Sequence, residues 1–216
     1  MAGLHFRERK MFMNKFLVLL AAVLLSFQTQ AALVSGPDII AAVSVQEDSP
    51  TNNHQQAFNE KQSVFLNSAI NVDGGTIAAG QTVDSHLIFL NSQGGTFVND
   101  RQTWGFDGQI LGVMSQQNGG MLAATNSLFA AFGDYFTTGS SLPFGAAGLE
   151  QNNILTGDGY IINGLLLDLR MRVTEPGDWV RVITASAVPI PAAIFLFAPA
   201  LLGFIGLRRK QKLTAL

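Results

Sequence analysis

Histidines and carboxylates are the residues between positions 33 and 187 whose types could support acid–base or nucleophilic chemistry. The chain has no cysteine, and this segment contains two histidines, His54 and His86. His86 follows Asp84 by two positions in an apolar run, where a histidine bonded to a neighbour is commoner than a general base. No Gly-x-Ser-x-Gly nucleophile elbow, His-Glu-x-x-His zinc motif or Gly-Lys-Ser/Thr phosphate loop occurs. We therefore predict no catalytic residue and no enzyme activity.

Carboxylates near predicted turns and strand ends raise the question of a metal site. Calcium binds carboxylate and carbonyl oxygens. The aspartates that could supply such oxygens are Asp73, Asp84, Asp100 and Asp107. Their spacing matches no recognised calcium loop. We predict no bound metal and no cofactor, with calcium as the open alternative.

Two tryptophans, Trp104 and Trp179, could form a stacking face for a sugar, although their β spacing is more typical of core residues. A pair of carboxylates for glycoside hydrolysis need not be close in sequence, and no pattern marks a pair here. Two alternatives to a non-catalytic protein therefore stay open. One is a carbohydrate- or calcium-binding module, and the other is a secreted hydrolase.

Charge is distributed unevenly along the chain. Five of the 13 Lys and Arg residues and 14 of the 15 Asp and Glu residues lie at 33–187, which gives this segment a net charge of −9, against −2 for the whole chain. An acidic surface repels phosphate backbones, so we predict no binding to nucleic acid. The segment is long enough for one domain with its own hydrophobic core.

Short apolar runs separated by Gly, Asn and Asp predict that this segment is mainly β. The predicted strands are 33–34, 39–45, 63–66, 82–90, 103–114, 165–174 and 179–184. A Glu-Pro-Gly-Asp turn at 175–178 would join the last two strands as a hairpin, and an Asp-Gly turn is predicted at 73–74. Loops are predicted at 46–56 and 137–153, and apolar residues at helical spacing predict one helix at 121–132. This order of elements indicates an antiparallel β-sandwich of jelly-roll type with one short helix.

The first 32 residues have the pattern of a secretory signal peptide. Basic residues between Arg7 and Lys15 precede the apolar run FLVLLAAVLL at 16–25. Small residues follow this run and predict cleavage next to Ala31 and Ala32. We therefore expect the segment 33–187 to be exported.

The segment 188–216 contains three features in a fixed order. It opens with the proline motif Val188, Pro189, Pro191 and Ala192. An uncharged apolar run then extends to Leu207, and its length is near the minimum for a transmembrane helix. The segment continues with the basic cluster Arg208, Arg209 and Lys210. The positive-inside rule predicts that this cluster stays in the cytoplasm.

These C-terminal features resemble the PEP-CTERM sorting signal of Gram-negative bacteria, in the variant whose motif reads Val-Pro-x-Pro-Ala. Ile190 stands where the usual motif has Glu between the prolines. The resemblance is confined to this segment. It implies that the protein is a substrate of exosortase, an integral-membrane cysteine enzyme of transpeptidase type. It also implies a role at the cell surface or in an exopolysaccharide matrix.

The sequence thus predicts three parts: a signal peptide at 1–32, an exported β-sandwich domain at 33–187 and a sorting signal at 188–216. The expected function is that of a non-catalytic cell-surface or matrix protein. The expected partners are the membrane (transiently, through the C-terminal helix), an exosortase-type processing enzyme and extracellular polysaccharide. The expected location is first the inner membrane and then the cell surface or the extracellular matrix.

Overall fold

The computed structural model describes residues 32–43, 53–92, 96–131, 148–150, 153–174 and 177–186. The predicted sorting motif, transmembrane helix and basic tail at 188–216 lie outside these ranges, and so does the predicted signal helix. Within the described ranges, no helix combines the length and the apolar character needed to cross a membrane.

The described residues form a mainly β structure with antiparallel sheets and one α-helix, as the sequence predicts. In chain order the elements are β1 Leu33–Ser35, β2 Gln56–Asn59, β3 Val64–Phe65, β4 Ile70–Val72, β5 Gly75–Ile77, β6 Thr82–Leu90, β7 Val98–Phe106, β8 Ile110–Met114, α1 Gly120–Phe129, β9 Gly159–Asn163, β10 Leu166–Val173 and β11 Asp178–Ala185.

Most strands belong to two sheets. The outer sheet has the order β1-β7-β10-β9, and the central sheet has the order β2-β6-β11-β8, with β3 also pairing with β6. Strands β4 and β5 form a separate hairpin, whose turn contains Gly74 at a φ of 74°. This turn confirms the Asp-Gly prediction, because glycine adopts positive φ without steric cost.

The central sheet is covered on both faces. On one face, side chains such as Val182 share a core with Leu169 and other residues of the outer sheet. On the opposite face, Ile183 belongs to a second core together with Leu122 and Phe129 of α1. Eight of the nine residues of β6 and seven of the eight residues of β11 are therefore buried. A strand that is buried on both faces carries a run of mainly apolar residues and does not alternate between apolar and polar ones. The WVRVIT sequence of β11 has such a run.

The predicted strand at 103–114 is two strands. Strand β7 ends at Phe106 and β8 begins at Ile110, with bends at Asp107 and Gly108 between them. The two strands lie in different sheets. The alternation of apolar residues continues across Asp107 and Gly108. The sequence pattern therefore does not reveal that the chain passes from one sheet to the other at this point.

The predicted hairpin between the last two strands is wrong. Strand β10 pairs with β7 and β9, whereas β11 pairs with β6 and β8. The reason lies in their burial: β10 alternates between buried and partly exposed residues, and β11 is buried on both faces. The true hairpin joins β9 to β10 through Gly164 and Leu165, where Gly164 has a φ of 63° and Asn163 pairs with Leu166.

Near the N-terminus, the strand predicted at 39–45 is reduced to one isolated bridge between Ile39 and Ala57. Residues 40–43 have no strand structure, and residues 44–45 are outside the described ranges. Strand β2 begins at Gln56, the last residue of the predicted loop at 46–56. The remaining predicted strands and the helix correspond to β1, β3, β6 and α1.

Candidate functional site

Three carboxylates converge in the described part of the chain. Glu150, Asp158 and Asp178 each place one carboxylate oxygen within 4.8 Å of the others. Among the described residues this is the one group of three or more His, Cys, Asp and Glu side chains with metal-ligand spacing. We call it the acidic cluster.

The acidic cluster joins three segments that are distant in sequence. Glu150 follows Leu149, whose backbone N–H donates to the Ser115 carbonyl over 2.9 Å. Asp158 directly precedes β9, and its carbonyl accepts a 2.7 Å hydrogen bond from the Asn153 N–H. Asp178 is the first residue of β11. The fold therefore holds these carboxylates by backbone hydrogen bonds and strand pairing.

Two glycines leave the room that this arrangement requires. A Cβ on Gly159 would lie 2.7 Å from the backbone nitrogen of Asn153. A Cβ on Gly177 would lie 2.5 Å from the Leu90 carbonyl oxygen. Both neighbours are backbone atoms, so neither position accepts a larger residue without movement of the chain. Glycine next to Asp158 and Asp178 thus allows close packing around the acidic cluster.

Two of the three carboxylates are buried. Asp158 is 5% exposed and Asp178 is 2% exposed, whereas Glu150 is exposed. One oxygen of each buried group, Asp158 Oδ1 and Asp178 Oδ2, has no hydrogen-bond partner. Buried polar atoms are normally paired, because an unpaired one loses its hydration without replacement.

Burial and mutual repulsion act on the proton affinity of the acidic cluster. Burial raises the pKa of Asp178 well above its usual range, and the charges of Glu150 and Asp158 raise it further. Partial desolvation of its carboxyl group, followed by a hydrogen bond with Asp158, raises the pKa of Glu150 to about 7. The acidic cluster therefore requires positive charge, as protons or as a metal cation, near neutral pH.

The basic side chains at 33–187 are engaged elsewhere. Arg101 binds Asp168, and Arg181 binds Glu60. The other three donate to carbonyl or amide oxygens: Lys61 to Ser127, Arg170 to Asn99 and Leu155, and Arg172 to Thr156. None of these contacts compensates the acidic cluster.

His86 has the structural role that its sequence context suggests. It is fully buried, and burial lowers its pKa to about 3. Its Nδ1 lies 2.8 Å from Asn59 Oδ1, and its Nε2 lies 3.0 Å from Thr184 Oγ1. Because an amide oxygen only accepts, Nδ1 carries the proton and Nε2 accepts from the hydroxyl. Both nitrogens are used, so this histidine is not poised as a general base.

The four aspartates considered for calcium do not converge on one another. Each accepts a hydrogen bond from its own surroundings: Asp73 from Ser115, Asp84 from Ser63, Asp100 from Gln55 and Asp107 from Ala32. Each of these aspartates therefore links two backbone segments that are distant in sequence. The sequence pattern did not single out the residues of the acidic cluster, because their convergence depends on β9 and β11 beginning near each other. The available signal was a Gly-Asp pair at the start of each strand, at 157–158 for β9 and at 177–178 for β11.

The tryptophans do not present a sugar-stacking face. Trp104 is completely buried and Trp179 is 2% exposed. Trp104 Nε1 donates to Gln55 Oε1 over 2.8 Å. Both tryptophans are core residues, which is the role that their spacing in the sequence favoured.

An open groove of about 530 Å³ lies beside α1, lined by residues that include Asn71, Gln116, Met121 and Leu128. Its lining contains no ionisable side chain. The groove therefore lacks the groups for acid–base chemistry.

Comparison with protein-family models, curated proteins and solved structures found no match for this chain.

Proposed function

We propose that this protein is an exported, non-catalytic component of the cell surface or of an exopolysaccharide matrix, processed at its C-terminus by an exosortase-type enzyme. The single observation that carries this proposal is the segment 188–216. There a Val-Pro-Ile-Pro-Ala motif, an apolar run and a basic cluster follow one another. The signal-peptide pattern at 1–32 supplies the matching export step.

Physical properties of the C-terminal segment support a temporary stop in the membrane. Moving each Lys or Arg into the hydrocarbon costs about 2.5 to 3.5 kcal/mol on insertion scales, so the basic cluster stays in the cytoplasm. The apolar run before it can hold the domain at the outer side of the membrane. Pro189 and Pro191 restrict the chain to an extended form. An extended segment is one that a processing enzyme can bind as a strand.

For the segment 33–187 we propose a two-sheet antiparallel β-sandwich of the jelly-roll class. The shared core of the outer and central sheets supports this architecture, since Val180 and Val182 belong to it together with Leu167 and Leu169. A non-catalytic role is supported by the fully hydrogen-bonded His86. Together these features favour a scaffold whose surface makes contacts with matrix components.

The test uses four versions of the chain in a host that contains exosortase: the parent, a truncation after Ser186, Pro189→Ala/Pro191→Ala and Pro199→Ala. Pro199 lies within the apolar run, so its change is a matched control outside the motif. Membrane fractionation and intact mass should show the parent and Pro199→Ala processed and the truncation soluble. The double variant should stay full-length in the membrane, because its span remains while the motif is lost.

Two results would contradict the proposal. If the parent protein persists at full length in that host, the segment is a permanent anchor. If the double variant is processed as efficiently as the parent, the prolines are not the recognition element.

A further inference from the structure

We propose that the acidic cluster is a calcium site in which Glu150, Asp158 and Asp178 supply the protein oxygens. This inference rests on the geometry of the described residues and is independent of how the C-terminal segment is processed.

Asp158 Oδ1 and Asp178 Oδ2 are buried without a hydrogen-bond partner, and both belong to carboxylates of the cluster. A convergence of surface acids alone would leave such oxygens hydrated. Here the fold removes water from two carboxylates and leaves an acceptor on each without a donor, which is the arrangement that a bound cation completes.

A bound cation would also balance the negative charge of the acidic cluster. Three carboxylates within ligand distance carry up to three negative charges, and each basic side chain at 33–187 binds a partner elsewhere. The charges that act on Asp178 are those of Glu150 and Asp158, both of the same sign. The described basic side chains therefore do not supply the positive charge that the acidic cluster needs, and a bound cation would supply it.

The ligand chemistry selects calcium among the common metals. Zinc prefers nitrogen and sulfur ligands, and the cluster contains neither His nor Cys. Magnesium needs near-ideal octahedral geometry and gives up water reluctantly. Calcium accepts six to eight oxygens in irregular geometry, including water and carbonyl oxygens. The acidic cluster has two buried carboxylates and one exposed carboxylate, that of Glu150. This arrangement fits a calcium ion that has lost part of its water and stays open to solvent on the side of Glu150.

A bound ion would connect three segments that no disulfide joins. Glu150 lies beyond α1, Asp158 precedes β9 in the outer sheet, and Asp178 begins β11 in the central sheet. The chain has no cysteine and so no disulfide. Calcium would thus join the two sheets at this end of β11, and binding to the native state would raise thermal stability.

The experiment uses the full-length chain, purified in detergent and freed of metal with a chelator. Its two tryptophans both lie in the folded core, so their fluorescence follows unfolding of this domain. Extracellular calcium modules have Kd values of roughly 0.1 to 1 mM. At 10 mM CaCl₂ we therefore expect the Tm to rise by about 3 to 10 °C, and 10 mM MgCl₂ should produce a smaller rise.

Substitutions in the acidic cluster test whether the calcium-dependent rise in Tm comes from this site. Asp158→Asn and Asp178→Asn should each lose the calcium-dependent rise in Tm. Asp168→Asn is the matched control, because Asp168 lies on β10 and binds Arg101 outside the cluster, and it should keep the rise. Glu150 is exposed, so Glu150→Gln keeps the fold and should weaken the Kd from calorimetry by about tenfold or more.

The proposal is overturned if calcium leaves the parent Tm unchanged, or if the two aspartate variants respond as the parent does. An unchanged Kd in Glu150→Gln would also overturn it. An equal rise with magnesium would refute the assignment to calcium.

Discussion

The buried ion pair between Arg181 and Glu60 gives the sharpest stability prediction. Arg181 Nε and Nη2 donate to the two oxygens of Glu60 over 2.6 and 2.7 Å, and both side chains are completely buried. Nη1 donates to the Leu122 carbonyl over 3.1 Å and to Thr125 Oγ1 over 2.8 Å, both in α1. Strand β11 therefore holds the helix through this guanidinium. Arg181→Met removes all of these contacts and leaves the Glu60 carboxylate buried without its cation.

The size of the effect follows from this geometry. Removing one partner of a buried ion pair costs about 3 to 5 kcal/mol, because the remaining charge is uncompensated. Domains are stable by only about 5 to 15 kcal/mol in total. For a domain of this length each kcal/mol changes the Tm by about 2 to 4 °C, so Arg181→Met should lower it by about 6 to 20 °C. Glu60→Leu combined with Arg181→Met should recover most of this loss, since no charge is then left buried.

The assay is thermal unfolding of the parent, Arg181→Met, the Glu60→Leu/Arg181→Met double variant and Arg101→Met. Arg101 is the matched control: it also binds its carboxylate through two nitrogens, but its pair with Asp168 is 49% and 31% exposed. An exposed pair contributes about 1 kcal/mol or less. If Arg181→Met lowers the Tm no more than Arg101→Met, the reasoning from burial is refuted.

Two further predictions concern pH, measured by urea unfolding under chelator. The folded-state pKa of Glu150 is raised to about 7, and that of Asp178 is raised well above its usual range. The stabilising effect of each group is therefore complete below about pH 4 and is lost as the pH rises through the folded-state pKa of that group. Asp178→Asn should therefore gain stability relative to the parent between pH 5 and 8; a constant difference would contradict this. The pKa of His86 is instead lowered to about 3, so its contribution is present above about pH 6.5 and is lost as the pH falls. The destabilisation caused by His86→Gln should be smaller at pH 5 than at pH 7, and an equal cost at both would show that His86 does not titrate on unfolding.

Much of the fold was predictable from local sequence patterns. The Thr82–Leu90 strand, the helix at Gly120–Phe129 and the turn at Asp73-Gly74 each depend on neighbouring residues, and each was predictable. Strand pairing was not predictable in the same way. Strands β10 and β11 follow each other in sequence but lie in different sheets, and only their difference in burial separates them. The sequence contains this difference: apolar and polar residues alternate in β10, whereas β11 is a mainly apolar run.

The acidic cluster shows why a site is harder to predict than a strand. Its three carboxylates come from positions 150, 158 and 178, and no short motif includes more than one of them. Their convergence follows from where β9 and β11 begin, which is a property of the tertiary structure. By contrast, Asp73 and Asp84 lie near predicted turns and strands, but their oxygens accept hydrogen bonds from Ser115 and Ser63. Distance in sequence therefore concealed the acidic cluster, and nearness to turns singled out four aspartates that do not belong to it.

The most direct test of the proposed function is the intact mass of the protein recovered from the outside of an exosortase-containing host. The proposal predicts a chain that begins at Ala32 or Leu33 and lacks the apolar run and basic cluster that follow Ala192. Its mass must then be well below the 23.1 kDa of the full chain. Recovery of the 23.1 kDa chain, or of a chain that retains Arg208 to Lys210, would contradict export with C-terminal processing.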